Sequence, residues 1–241
     1  MLSALASSLR DIDLALFHAI NAVCGENLML DHIAGRLESW QLKGLALMST
    51  FGMLWFRRAK NQTHQRETLV LSLLAVVISL VVARSLADLL PFRPRPMFTS
   101  DIGYRPPLFP VETSYEEWSS FPSDTAALVF TLTTGFWLVS RWWGLLWAAF
   151  SVLAMTARIY FGVHYPGDVL AGALVGIVVT IALNHEFVRA RLAAPVMAVK
   201  RQAPAIFYGL LFPYLAEIST AFAFTRSLRH SIFHLFFGFG A

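Results

Sequence analysis

Five long apolar runs separated by short polar linkers limit the folds open to this chain more than any other feature. The runs approach or reach the roughly 20 residues that an α-helix needs to cross a bilayer. Hydrophobic residues make up 56% of the 241 residues and charged residues 14%, whereas an ordinary soluble domain carries about 25% charged residues. One soluble core cannot bury this much apolar surface, so the composition favours an exterior that faces lipid. The runs are 44–56, 69–90, 126–139, 144–161 and 169–183.

A sixth apolar stretch, about 205–224, is also long enough to span a bilayer. The sequence therefore predicts an all-α fold, a polytopic transmembrane helical bundle of about six spans, with residues 1–241 forming a single membrane domain. Residues 1–40 are predicted to form interfacial or partly inserted helices, because 12–30 is half polar. Residues 205–241 are predicted to add one span and a tail.

The basic residues predict the orientation of the bundle. They cluster in the linkers 57–67 and 184–202 and at the turn 140–143, which lie on one side if the spans alternate. The positive-inside rule makes that side cytoplasmic. Segments 91–121 and 162–167 then lie on the extracytoplasmic face of a bacterial-type inner membrane. The net charge of +4 comes in short clusters between apolar runs, which favours an anionic membrane surface over nucleic acid as the partner.

The motif PFRPRP, residues 91–96, closes the second apolar run. Prolines at alternate positions stop the helix and force an extended chain. Arg93 and Arg95 lie two residues apart in this chain, so their side chains are predicted to point the same way. Guanidinium groups bind phosphate oxygens through paired donors, so the motif predicts a phosphate site. The alternative is contact between these arginines and lipid headgroups.

The motif SSFPSDTA, residues 119–126, opens the third run. Pro122 suits the first helical turn, which places Ser123, Asp124 and Thr125 where backbone amides are free and the helix dipole is positive. Such a helix terminus binds anions. The alternative is simple capping, because Ser and Asp are common capping residues.

The motif ARIYFGVHYPGD, residues 157–168, joins the end of one run to the start of the next. Pro166 ends any helix that reaches it, so His164 is predicted to lie in a turn and Asp168 one turn into the next helix. Asp168 is then expected to reach a ring nitrogen of His164 and to leave the other nitrogen free to attack. Arg158 is placed to bind phosphoryl oxygens.

At these residues the chain resembles the PAP2 superfamily of membrane phosphatidic-acid-type phosphatases, which includes bacterial undecaprenyl-diphosphate phosphatases. The family pattern has three blocks, Lys-x6-Arg-Pro, Pro-Ser-Gly-His and Ser-Arg-x5-His-x3-Asp. The resemblance extends over about 69–183, which is then the PAP2-like catalytic core. The matching residues are Arg95-Pro96, Pro122-Ser123, Arg158, His164 and Asp168.

The resemblance implies a role for each matching residue. His164 would be the nucleophile that forms a phosphohistidine, and Asp168 would orient it. Arg95 and Arg158 would clamp the phosphate. The reaction would need no metal and no cofactor, and the substrate would be a lipid phosphate that enters from the bilayer.

Four residues depart from the family pattern. Ala157 replaces the serine of the third block and Asp124 replaces the glycine of the second. The other two departures bear on the chemistry. Asp88 stands where the first block has lysine, and Thr125 stands where the second block has the histidine that protonates the leaving group. General acid catalysis contributes about 10²–10⁴-fold, but the phosphate monoester that leaves a lipid diphosphate needs no proton. The missing acid therefore favours a diphosphate substrate. Asp88 has two interpretations, an ion pair with Arg84 one turn earlier or a role in the site.

The function predicted from these residues is a membrane lipid phosphatase acting on a polyprenyl diphosphate or a related lipid phosphate. Two alternatives stay open. One is a phosphotransferase that moves the phosphoryl group to a glycolipid acceptor held by the acidic and aromatic loop 97–120. The other is a catalytically degenerate protein that binds lipid phosphate, which the substitutions at Asp88 and Thr125 suggest.

Overall fold

Every regular element in the described part of the chain is helical, which confirms the all-α prediction. The computed structural model describes residues 2–110 and 116–222. The predictions for parts of the 97–120 loop and for the C-terminal tail fall on 111–115 and 223–241, outside the described residues. The α-helices are α1 Leu2–Asn21, α2 Leu28–Glu38, α3 Trp40–Phe56, α4 Gln62–Leu89, α5 Asp124–Val139, α6 Arg141–Tyr160, α7 Pro166–Asn184, α8 Glu186–Gln202 and α9 Pro204–Ser219.

Three of these helices, α4, α6 and α7, are long and apolar enough to cross a membrane, and α5 is a shorter apolar helix. They coincide with four of the predicted spans. Helices α3 and α9 cover the remaining two apolar stretches, and their passage through the bilayer stays a prediction. The interfacial placement of α1 and α2 stays a prediction as well.

Helix α8 corrects the description of 184–202 as a linker. The segment is helical from Glu186 to Gln202, although Pro195 lies inside it. Ala193 and Met197 are buried, and α8 packs against α4 and α9. Packing of one apolar face thus supports a helix that its many basic residues had concealed, because tertiary contacts outweigh local propensity.

Helix α5 is the centre of the bundle and packs against α4, α6 and α7. Two glycines of α7 allow the closest approach. A Cβ atom added at Gly172 would lie 2.1 Å from the carbonyl oxygen of Ser123, and one added at Gly176 would lie 2.3 Å from that of Ala127. Small residues one turn apart let helix backbones meet closely where lipid removes the hydrophobic driving force.

Buried hydroxyl groups also join the helices. Thr131 of α5 bonds Ser79 of α4 at 2.9 Å, and Thr133 of α5 bonds Ser151 of α6 at 2.7 Å. These bonds satisfy polar groups away from water, and in lipid each contributes about 0.6 kcal/mol on average. They hold α5 in a defined position relative to the helices that carry the motifs.

The three motifs meet at one end of the bundle, where α4 and α6 end and α5 and α7 begin. The amide of Ser120 donates to the carbonyl of Arg93 at 2.8 Å, and the amide of Ser123 donates to the carbonyl of Asp168 at 3.0 Å. Main-chain bonds therefore connect the first motif to the second and the second to the third.

The N-terminal helices close over this end of the bundle. Asp13 of α1 accepts a hydrogen bond from the amide of Gly167 at 2.6 Å. Asp31 of α2 is fully buried, where it accepts from the amide of Leu108 at 2.8 Å and from the hydroxyl of Tyr160. Helices α1 and α2 thus help to shape the site, although the motifs lie elsewhere.

Candidate active site

His164 lies in the turn between α6 and α7 and is almost fully buried. Two local features make this turn. Gly162 adopts φ +69°, a left-handed conformation that suits glycine after a helix end, and Pro166 occupies the first turn of α7. The predicted position of His164 in a turn agrees with the structure.

The hydrogen bonds of His164 define its tautomer. Its Nδ1 lies 2.9 Å from the carbonyl oxygen of Ser120, which can only accept, so Nδ1 carries the hydrogen. Its Nε2 lies 3.2 Å from Nη1 of Arg95 and 3.4 Å from Nη2 of Arg158. Guanidinium groups can only donate, so Nε2 holds a lone pair that faces two cations.

Burial lowers the pKa of His164 from 6.5 to about 4. The positive charges of Arg158 and Arg95 act in the same direction, and Asp168 opposes them. The imidazole is therefore neutral at pH 7, and its Nε2 lone pair is available as a nucleophile.

Both arginines beside Nε2 are buried. Arg95 also donates from Nη1 to the carbonyl of Val163 at 3.0 Å. Arg158 contacts the carboxylate of Glu38 through Nη1, while its Nε is a buried donor without an acceptor among the described residues. A buried guanidinium with an unused N–H is suited to an oxyanion, because an unsatisfied donor costs about 1–3 kcal/mol.

Asp168 does not bond His164 directly, which corrects the predicted contact. Its Oδ2 lies 3.8 Å from Nδ1, beyond hydrogen-bond range. Oδ2 instead accepts from the hydroxyl of Ser120 and from the amide of Tyr165 at 2.9 Å. The reason is that Ser120 binds both groups, because its carbonyl oxygen lies 2.9 Å from Nδ1 and its hydroxyl donates to Oδ2.

Arg93 does not point into the same space as Arg95, which corrects the prediction of a parallel pair. Its Nη1 lies 2.5 Å from Asp168 and its Nη2 lies 2.6 Å from Asp13. The guanidinium also stacks 4.0 Å above the Tyr165 ring. Because both terminal nitrogens of Arg93 bind carboxylates, Arg93 connects α1 to α7 beside the site and is not placed to bind phosphate.

The start of α5 corrects the expectation of free amides. The amide of Ser123 donates to the main-chain carbonyl of Asp168. The amide of Thr125 donates to Oδ1 of Asp124 at 2.7 Å, and the amide of Ala126 donates to Oγ of Ser123 at 3.3 Å. These donors are satisfied by protein groups, as in ordinary capping. Ser123, Asp124 and Thr125 therefore shape the site without offering these amides to an anion.

Arg84 pairs with Asp124 at 2.8 Å, and its guanidinium lies 4.1 Å from the Trp118 ring. The first interpretation of Asp88, an ion pair with Arg84, is therefore wrong, because α5 presents a closer carboxylate. The second, a role in the site, stays a prediction. Asp88 is exposed near the end of α4.

Four residues of this arrangement were missed by the sequence. Ser120 is the second residue of the SSFPSDTA motif, and that position was the available signal. The other three come from α1, α2 and α3, and no local pattern links them to the motifs. They are Asp13, Glu38 and Lys43, whose Nζ lies 3.9 Å from the Glu38 carboxylate. Glu38 is 120 residues from its partner Arg158, a distance at which the sequence carries no pairing signal.

The described residues contain no group of three or more His, Cys, Asp or Glu side chains that could hold a metal ion. The metal-independent reaction stays a prediction. The chemistry that this arrangement can perform is a nucleophilic attack by neutral His164 on an anionic centre held by Arg95 and Arg158.

Comparison with known proteins places these residues in a family context. A sequence model of the PAP2 superfamily matches residues 68–192. Two relatives are similar over 70% of this chain. YbjG of Escherichia coli strain K12, provisionally named an undecaprenyl-diphosphatase, is 29% identical over 171 residues, which cover 80% of YbjG. The bacitracin transport permease protein BcrC of Bacillus licheniformis is 28% identical over 174 residues, which cover 78% of BcrC.

A solved structure shares the fold. The crystal structure of LpxE from Aquifex aeolicus superimposes with a TM-score of 0.53 at 28% sequence identity. The match covers 70% of this chain and 92% of LpxE.

Proposed function

Since the chain belongs to the PAP2 superfamily, we propose that it is a lipid phosphatase that removes the terminal phosphate of a polyprenyl diphosphate through a phosphohistidine at His164. The main support for this proposal is that two guanidinium groups lie beside Nε2 of His164, with Nη1 of Arg95 at 3.2 Å and Nη2 of Arg158 at 3.4 Å. Two buried guanidinium groups beside one neutral imidazole nitrogen match what an in-line attack on phosphorus requires.

The first step forms the bond between Nε2 of His164 and the terminal phosphorus. The bond from that phosphorus to the bridging oxygen breaks, and the electron pair leaves with the lipid monophosphate. Nδ1 keeps its hydrogen, so the phosphorylated ring is positively charged. Asp168, 3.8 Å from Nδ1, stabilises this charge through space and through the hydroxyl of Ser120.

The second step releases phosphate. Water attacks phosphorus, the bond to Nε2 breaks, and the electron pair returns to the ring. Both protons of the water leave with the released phosphate, as H2PO4⁻, so the site ends in its starting state. The net reaction converts a lipid diphosphate and water into a lipid monophosphate and inorganic phosphate.

Thr125 supports a diphosphate as the substrate. It is buried at the start of α5, one residue after Asp124, and its hydroxyl cannot donate a proton to a leaving group near neutral pH. A lipid monophosphate would have to release an alkoxide, which needs that proton. A lipid diphosphate releases a phosphate monoester, whose second pKa is about 6 and which leaves as a stable anion.

The proposed location is the extracytoplasmic face of a bacterial-type inner membrane. The basic clusters in 57–67 and 184–202 support it, because they belong to the bundle end opposite the motifs. A lipid substrate would then present its headgroup to the site while its chain stays in the bilayer.

The test is phosphate release by purified full-length protein from polyprenyl diphosphate and polyprenyl monophosphate. We expect release from the diphosphate, and an acid-labile, base-stable label on the protein when the terminal phosphate is radioactive. His164→Ala removes both signals. His185→Ala is the matched control, because His185 is exposed beyond the far end of α7.

Three results would contradict the proposal. Label transfer to a glycolipid without free phosphate would identify a phosphotransferase. Binding of the diphosphate without turnover would identify a catalytically degenerate protein. Phosphate release that persists in His164→Ala would exclude His164 as the nucleophile.

A further inference from the structure

The corner between α2 and α3 carries two charged side chains that the family match does not include. Glu38 is the last residue of α2, Ser39 alone separates the two helices, and Lys43 lies one turn into α3. The corner lies against α6, since α2 packs on α6. Residues 68–192 match the PAP2 model, so this corner belongs to the part of the chain outside it.

Glu38 joins two cations through one oxygen. Its Oε1 contacts Nη1 of Arg158 and lies 3.9 Å from Nζ of Lys43. Lys43 also donates to the main-chain carbonyl of Glu38 and lies 4.8 Å from the centre of the Trp40 ring. One carboxylate therefore faces two positive charges, which leaves one positive charge uncompensated within this group of three.

The three side chains differ in exposure, and Glu38 is the one that reaches solvent. The side chains of Lys43 and Arg158 are 3% and 5% exposed, whereas that of Glu38 is 27% exposed. A buried ammonium group has a high desolvation cost unless an anion lies beside it. Glu38 sits at a helix end, so its carboxylate can turn towards solvent while the two cations stay in place.

Arg158 links this corner to His164. Its Nη1 faces Glu38, and its Nη2 lies 3.4 Å from Nε2 of His164. Its Nε is a buried donor without an acceptor among the described residues. The Arg158 guanidinium therefore faces His164 with Nη2 and Glu38 with Nη1. Its Nε–H is left to donate to an oxygen of a bound phosphate.

We propose that the Glu38 carboxylate occupies the place of the inner phosphate of a diphosphate substrate, and that Lys43 and Arg158 bind this phosphate once Glu38 has moved away. The inference rests on the proposed function and adds a second phosphate subsite to it. The terminal phosphate lies at Arg95, Arg158 and Nε2 of His164. The inner phosphate lies between Arg158 and Lys43.

This subsite explains how the chain distinguishes diphosphates from monophosphates in binding. A diphosphate reaches both positions and replaces Glu38 at the two cations. A single phosphate held beside Nε2 does not reach the corner, so Glu38 stays and Lys43 contributes nothing to the affinity. Lys43 is then a specificity-determining residue, and Glu38 keeps the cations paired while the site is empty.

The test measures binding of inorganic pyrophosphate and inorganic phosphate by calorimetry. It uses the full-length chain carrying His164→Ala, so that no turnover occurs. Removing the Lys43 charge with Lys43→Met is expected to weaken pyrophosphate binding about tenfold, the effect of losing one charge-assisted hydrogen bond. Phosphate binding is expected to change less than about twofold. Glu38→Gln removes the competing charge and is expected to tighten pyrophosphate binding about threefold.

Matched controls are available at exposed positions away from the corner. Lys60→Met and Glu186→Gln remove the same charges where both side chains are exposed and are expected to leave both affinities unchanged. Because Lys43 is buried, the affinities of Lys43→Met are compared with those of the parent protein only after cooperative thermal unfolding shows that the variant is folded. Lys43→Arg keeps the charge and is expected to retain the preference for pyrophosphate, which supplies a readout if Lys43→Met does not fold.

Two results would overturn the inference. The first concerns the ratio of pyrophosphate affinity to phosphate affinity. The inference fails if this ratio is unchanged in Lys43→Met, or if Lys43→Arg, which keeps the charge, lowers it about tenfold. The other is weaker pyrophosphate binding in Glu38→Gln, which would make Glu38 a support for Arg158. Failure of the proposed function looks different, because the wild type would then release no phosphate from any lipid while its pyrophosphate binding still depended on Lys43.

Discussion

His164 donates its Nδ1 hydrogen to the main-chain carbonyl of Ser120 at 2.9 Å. A main-chain acceptor cannot rotate away as a side chain can, so this bond holds the ring in one tautomer and one orientation. Asp168 acts one step further out, through the Ser120 hydroxyl. In the proposed mechanism, Ser120 therefore orients the nucleophile and Asp168 stabilises its charge.

This division predicts unequal effects of Ser120→Ala and Asp168→Asn. Ser120→Ala keeps the carbonyl and removes one hydrogen bond to a carboxylate, so kcat should fall about tenfold. Asp168→Asn removes the charge that stabilises the phosphorylated ring and a partner of Arg93, so kcat should fall about 100-fold or more. Steady-state phosphate release at saturating substrate measures kcat for both variants. Equal losses in the two variants would contradict the division of roles.

The low pKa of His164, about 4, predicts a pH dependence of stability. Above pH 6.5 the ring is neutral in the folded and unfolded chain. Between pH 6.5 and about 4 the unfolded chain binds a proton that the folded chain does not, so the free energy of unfolding falls as the pH falls. Thermal unfolding in detergent should show this loss in the wild type and not in His164→Gln. A stability difference between the two proteins that stays constant down to pH 4 would contradict the prediction.

The substitution Thr125→His restores a proton donor at the start of α5. We expect it to raise hydrolysis of a lipid monophosphate at least about tenfold, since general acid catalysis contributes about 10²–10⁴-fold where the leaving group needs a proton. Hydrolysis of the diphosphate should change much less. Thr125→Gln, which has no ionisable group, is the matched control. Equal gains on both substrates would contradict the leaving-group argument.

The fork of Arg93 predicts that lysine cannot replace it. Arg93 bonds Asp168 and Asp13 with separate nitrogens, and one ammonium group cannot reproduce that geometry. Because the Arg93 side chain is 29% exposed, we expect Arg93→Lys to cost about 1–3 kcal/mol, less than the loss of a fully buried pair. The thermal midpoint in detergent measures the effect. Arg57→Lys, at an exposed position, should change the free energy of unfolding by less than about 0.5 kcal/mol. A loss equal to that of Arg93→Lys would contradict the prediction.

The close contact of α5 and α7 predicts that Gly172→Ala destabilises the protein. The added Cβ atom would lie 2.1 Å from the Ser123 carbonyl, so the helices must separate at a cost of about 1–3 kcal/mol. The separation also strains the bond from the Ser123 amide to Asp168, so activity should fall with stability. Gly209→Ala is the control, because a Cβ atom there meets nothing within 4 Å. A neutral effect of Gly172→Ala would contradict the close packing.

Local signals predicted the helix ends that carry the motifs. Pro91, Pro122 and Pro166 act on their own backbone and immediate neighbours. The structure ends α4 at Leu89, just before the first of these prolines, and begins α7 at the third. The prediction that Pro122 lies in the first turn of α5 is wrong, because α5 begins at Asp124 with Ser123 as its cap. The place of His164 in a turn followed from the same rule.

Side-chain partners were predicted less well. The expected pairs of Arg84 with Asp88 and of Asp168 with His164 were both local guesses at a spacing of four residues. Arg84 instead bonds Asp124, 40 residues away. A spacing rule ranks only the partners on the same helix, and it cannot weigh a carboxylate that another helix brings closer.

The sequence by itself determined that the chain is all-helical and apolar enough for a membrane, that the motifs end or begin helices, and that a histidine and two arginines belong to one site. These follow from hydrophobic period, proline chemistry and charge, which are local properties. Only the tertiary structure decided that Arg93 binds carboxylates, that Ser120 holds the ring of His164, and that Glu38 and Lys43 reach Arg158. Those contacts depend on how separate helices pack together. No single segment specifies that packing, as the close approach of Gly172 in α7 to Ser123 illustrates.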